Sequence, residues 1–145
     1  MRINIRLLVT LLCCLCSTVI YAQQRGRYEM KDYQFTVPFA EGSAVVDTTD
    51  SVVVVRLEWL KKAISRSYDS DQSVIYGMTV RGLAPVKELA DERALNMKTW
   101  IRLRYPSPVK LQALQTMGEV KEQNAVTVVF TVMTMAAPPA QEQKE

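Results

Sequence analysis

Histidine is absent from all 145 positions of this chain, and with it go the commonest general base and the commonest metal ligand. Cysteine is nearly as scarce: Cys13, Cys14 and Cys16 are the whole supply, and all three fall in the opening apolar run. Charge of one sign is not in excess either, because removing Arg2 and Arg6 from the 18 basic residues leaves 16 against 15 acidic ones. A nearly neutral chain lacks the electrostatic footprint of a nucleic-acid binder. No phosphate loop, nucleophile elbow or zinc spacing occurs in the sequence. These absences predict a protein that is not an enzyme and that holds no cofactor or metal.

What is present begins with a leader. MRINIR supplies two arginines and LLVTLLCCLCSTVI follows as a mainly apolar run, the arrangement of a secretory signal peptide. The run falls short of the roughly 20 apolar residues that cross a bilayer as a helix. Ala22, in IYA before QQ, marks the expected cleavage point, so residues 1–22 are assigned to the signal peptide. An uncleaved anchor is the alternative. A lipoprotein is disfavoured, since no cysteine follows the small-residue pair of a lipobox. Cleavage removes every cysteine, leaving no disulfide framework and no membrane-spanning segment. Residues 23–135 then suffice for one small domain with a modest core, and the end of the chain, 136–145, reads as a disordered tail.

Within the domain, Phe35, Val37 and Phe39 alternate with Gln34, Thr36 and Pro38, the period of a half-buried strand that is at an edge or ends at Pro38. AEGSA reads as a turn. Val53, Leu57, Leu60 and Ile64 follow helical spacing after the capping oxygens of Asp47 to Ser51, with Glu58 and Lys62 at i,i+4, so a helix is expected from about Ser51 to Arg66. The four valines leave a strand at its start as the alternative. SVIYGMTVRG predicts a well-buried central strand with a bulge or close approach at Gly77, ending in a GLAP loop. A second helix, about Val86 to Arg104, runs acidic first and basic last. VKLQALQTM and AVTVVFTVM then look like a hairpin, with a bulge near Ala113. The expected fold is a mixed α/β sandwich: a four-stranded sheet in sequence order β-α-β-α-β-β, two helices on one face, a parallel pair from the βαβ unit and an antiparallel closing hairpin.

Two pieces of this sequence, Phe39-Ala-Glu-Gly-Ser-Ala44 and Leu89-Ala90 with Arg93-Ala94, stand in an order and spacing that resembles the OmpA-like C-terminal domain of Gram-negative envelope proteins. The resemblance covers about Gln34 to Val132. It implies a non-catalytic periplasmic module, associated with the outer membrane, that grips the peptide stem of peptidoglycan. In that family an aspartate in a TDxxG turn and the arginine of an LSxxRA helix hold the zwitterionic diaminopimelate residue, and an asparagine before the helix supports them. A guanidinium fits a carboxylate in bidentate fashion and a carboxylate holds an ammonium. Here Arg93 matches the arginine and Thr79 the threonine, while Val80 stands in the place of the aspartate and Val86 in that of the asparagine. Arg81 offers a second cation and Gly82 closes the turn. The candidate ligand-binding set is thus Arg93, Thr79, Val80, Arg81 and Gly82, with peptidoglycan or envelope proteins as partners. The alternative is a degenerate copy of the fold used for protein contact, within an outer-membrane or surface-appendage assembly.

Other residues read more plainly. Asp69 and Asp71 lack the glycine and glutamate of a calcium loop, whose places are held by Val74 and Val80. Glu41 and Asp47 have no nucleophile beside them and serve capping and solubility. Trp59 and Trp100, one per helix, are expected to pack or to face a partner.

Overall fold

Three strands of alternating apolar pattern and a fourth, more polar one form a single sheet, which two helices cover on one face. The computed structural model describes residues 27–136; the predicted signal peptide over 1–22 and, Ala136 excepted, the predicted tail over 136–145 lie outside the described residues. The elements are β1 (Tyr28–Pro38), α1 (Ser51–Tyr68), β2 (Ser73–Ala84), α2 (Lys87–Arg104), β3 (Leu114–Val120) and β4 (Ala125–Met135). Their sequence order is the expected β-α-β-α-β-β, and the four-stranded sheet has the spatial order β1-β4-β2-β3. Glu29–Thr134 make up one compact unit. No described helix is long and apolar enough to cross a membrane.

The spatial order corrects one expectation and bears out another. β3 and β4 are not a hairpin, while the parallel pair expected from a βαβ unit is β2 and β3, joined through α2, in register Val80↔Thr116 and Gly82↔Gly118. β4 instead enters between β1 and β2 and runs antiparallel to β2, with Val80 opposite Val128 and Met78 opposite Phe130. Its contacts with β1 hold a constant register, Phe39 N–H to Asn124 O at 2.8 Å and Asp32 Oδ1 accepting from Thr131 Oγ1 at 2.6 Å, so that pair is antiparallel too. The reason lies in composition. AVTVVFTVM has apolar or β-branched side chains at every position and gains most from a neighbour on each side, whereas LQTMGEV is exposed along much of its length and is left at the edge.

Helix α1 starts where Asp50 accepts hydrogen bonds from the N–H groups of Val52 and Val53, at 2.8 and 3.1 Å. That cap offsets the weak helix propensity of the valine run, and the helix rather than the strand alternative is observed. Val53, Leu57, Leu60 and Ile64 all face inward, as their spacing predicts. Complete burial of Leu60 and Ile64 is worth about 1.5–3 kcal/mol each. Glu58 pairs with Lys61 at 3.6 Å rather than with Lys62.

On the sheet, Val37, Met78, Val80, Val128 and Phe130 meet these residues and Met97 and Ile101 of α2 in one core. Thr79, Arg81, Thr127 and Val129 take the alternate positions and so line the uncovered face. Among the described residues β2 is therefore interior to the sheet and helix-covered on one side. The irregularity expected at Gly77 is present, as a register shift between Ile75 and Gly77. The one expected near Ala113 is not: Val109 to Ala113 precede the strand, and only an isolated bridge joins Leu111 to Ile75.

Helix α2 lies unusually close to the sheet. A Cβ on Gly82 would overlap the Ala90 carbonyl oxygen, and one on Gly118 would overlap Asp91. These two glycines are register partners on β2 and β3, so together they form the floor on which α2 rests.

Candidate functional site

Arg93 occupies the buried stripe of α2, one turn after Ala90 and one before Met97, and has no exposed surface (0%). A guanidinium taken out of water needs acceptors for its five N–H groups. Nε–H donates to Ser43 O at 2.7 Å, one terminal nitrogen donates to Leu83 O at 2.7 Å and to Asn124 Oδ1 at 3.0 Å, and the other donates to Ala40 O at 2.8 Å. The cation also lies 5.5 Å from the centre of the Phe39 ring, within reach of its negative face. Among the described residues no carboxylate comes within 4.0 Å of it. Burial lowers its pKa below the usual arginine value, although arginine remains charged in proteins.

These partners come from three places. Ala40 and Ser43 belong to the loop after β1, which turns through Gly42 at φ 68° and is closed by Ser43 N–H donating to Ala40 O at 3.1 Å. Leu83 is near the end of β2, and Asn124 immediately precedes β4. A second side chain of α2, Asn96, donates to Ala44 O at 2.8 Å. Arg93 and Asn96 together fasten FAEGSA to the helix. The two stretches that carried the family resemblance are thus the two halves of one contact.

The remaining candidates do not gather around Arg93. The segment Thr79 to Gly82, where the resemblance implies a turn, is strand, as the pattern of SVIYGMTVRG predicts, and β2 continues to Ala84. Strand alternation then separates its members. Val80 is fully buried on the helix-covered face and Gly82 is buried beneath Ala90. Thr79 and Arg81 point to the uncovered face, half-buried and exposed respectively. An aspartate at Val80 would be inside the core, so at this register the position is closed to a ligand-holding acid. Val86, in the place of the family's asparagine, is the N-cap of α2 and makes no side-chain cap bond.

Three participants escaped sequence reasoning: Asn124, Asn96 and the carbonyls of the FAEGSA loop. Nothing local singles out either asparagine. Arg93 did carry a signal, since a residue three after Ala90 and four before Met97 must share their stripe. Trp100 is half-buried, with Arg104 3.9 Å above its ring and its Nε1 without a partner, while Trp59 is half exposed. No three His, Cys, Asp or Glu side chains among the described residues are placed to hold a metal ion. A scan against models of protein families finds no match for this chain, and a search among curated proteins finds none either.

Proposed function

We propose that the chain is a non-catalytic module of the periplasmic cell envelope, an OmpA-like fold that acts through contact with other envelope proteins instead of holding a peptidoglycan stem peptide. The observation that carries this reading is the occupancy of Arg93. Four of its N–H groups are already bonded to Ala40, Ser43, Leu83 and Asn124. A diaminopimelate carboxylate would have to displace these acceptors, and with Val80 in the core no acid stands ready for the ammonium that accompanies it. Half a clamp turned inward is a structural post. The leader supports an exported location, and the same resemblance supports association with the outer membrane.

Peptidoglycan association is the competing reading, favoured by the position of Arg93 within LADERA. Sedimentation of the purified protein with peptidoglycan sacculi separates the two. The protein is expected to stay in the supernatant. Co-sedimentation of the wild type that disappears in a still-folded Arg93→Lys variant would overturn the protein-contact reading.

A further inference from the structure

The surface that remains unused lies between β1 and α1. β1 is the edge of the sheet, and among the described residues nothing pairs with its outer side. Phe39 N–H points inward, to Asn124 O, so by alternation Val37 and Phe35 also bond toward β4, while Gln34 and Thr36 turn their N–H and C=O groups outward. Pro38 presents a carbonyl there but no N–H, which ends the available edge. Beside this edge a groove of about 650 Å³ is lined by Phe35, Thr36, Pro38, Val52, Arg56 and Trp59.

The helical wall of that groove has a character of its own. Val52, Val55, Arg56, Trp59, Lys62 and Arg66 fall on one stripe of α1 at spacings of three, four and seven residues, and every one of them is exposed. Val52 is 56% and Trp59 50% exposed, a large apolar surface for a helix whose other face already fills the core. The Arg56 guanidinium lies 5.0 Å from the Trp59 ring. Among the described residues no carboxylate comes within 4.0 Å of Arg56, Lys62 or Arg66. The two acids at the head of the helix are engaged elsewhere: Asp50 caps α1 and Asp47 accepts from Thr49.

We infer that β1 and α1 form a docking groove for an extended, acidic segment of a partner protein, which adds to the sheet along Gln34 and Thr36. The inference rests on the protein-contact reading above and names where that contact is made. Backbone pairing at the free edge supplies affinity without sequence preference, and alternate side chains of the added strand fall toward the helix. One of them, large and apolar, covers Trp59 and Val52; carboxylates beside it meet Arg56, Lys62 and Arg66. A second copy of this chain fits poorly. Two-fold pairing of β1 with β1 would set both α1 stripes on the same side of the joined sheet, with their unpaired cations facing one another.

Selection of displayed random decapeptides on the purified protein tests this. Selected peptides are expected to combine carboxylates with a large apolar residue in alternation. A synthetic representative should lose at least tenfold in affinity on Arg56→Glu and on Trp59→Ala, with Tm unchanged because both side chains are exposed. N-methylating alternate peptide amides should abolish binding in one register and spare it in the other. Selected peptides without carboxylates, no selected peptides, or affinities indifferent to both variants would each overturn the groove, as would self-association of the protein that Trp59→Ala abolishes. The outcomes are separable from those of sedimentation with sacculi, which bears on the protein-contact reading and not on which surface makes the contact.

Discussion

Replacing Arg93 by alanine distinguishes a structural arginine from one reserved for a ligand, because the two predict opposite signs. A side chain kept for binding is neutral or costly to stability, and its removal leaves the fold unchanged or stabilised. A post that satisfies buried acceptors leaves them bare when it goes. Leu83 O is the most enclosed of the four acceptors, and stranding a buried acceptor costs about 1–3 kcal/mol. The Ala40, Ser43 and Asn124 oxygens are part-buried and are rehydrated in part, at about 0.5–1 kcal/mol each. The sum is about 2.5–6 kcal/mol, against the roughly 5–15 kcal/mol that holds an ordinary domain together. Urea unfolding followed by tryptophan fluorescence and by circular dichroism is the assay. With a slope of about 1–3 kcal/mol per molar urea, the midpoint should fall by about 2 M. Amide hydrogen exchange of Glu41 to Val46 should accelerate beyond this global effect. An unchanged or raised midpoint would refute the assignment of Arg93 as a post.

Other perturbations probe the same framework. Gly82→Ala should destabilise by about 3 kcal/mol or more, read as a fall in Tm, because the new methyl meets backbone of α2 that cannot rotate away. Asp50→Ala removes the cap of α1 and should cost about 0.5–2 kcal/mol in chemical denaturation. Conversely, Val86→Asn supplies the cap that α2 lacks and should gain about 1 kcal/mol by the same measurement. Asp47 accepts from the Thr49 hydroxyl and then from the Thr49 N–H, and these bonds hold its carboxyl below the ordinary value of 3.8. Its folded-state pKa is depressed, so its stabilisation is present above the unfolded value and disappears as pH falls through the folded one. The stability difference between wild type and Asp47→Asn should shrink on going from pH 6 to pH 3.

The two helices and the core were legible because their signals are periodic and local: Leu57, Leu60 and Ile64 could share a face in no other way. β2 was cut short at Gly82 because a glycine demanded by the approach of α2 looks, in one dimension, like a glycine demanded by a turn. The hairpin failed for a related reason, since seven residues between two apolar segments suit a hairpin and a crossover past β2 alike. The difference resides in which strand gains more from a central place. The candidate site was legible only as a list of residues. That Val80 and Arg81 face opposite sides follows from β2 being a strand there, and the acceptors that meet Arg93 come from three stretches that only the fold brings together.

The last of the described strands sits in the middle of the sheet, and this has a temporal meaning. A polypeptide emerging with its N-terminus first delivers β1 long before the only described strand that pairs with it. Until Ala125–Met135 arrive, α2 can close over β2 and β3, but β1 has nothing beside it, and Arg93 lacks Asn124. The early product of synthesis is therefore a half-sheet with a loose leading strand. Closure of the described sheet waits for Ala125–Met135, the last of its strands to be made.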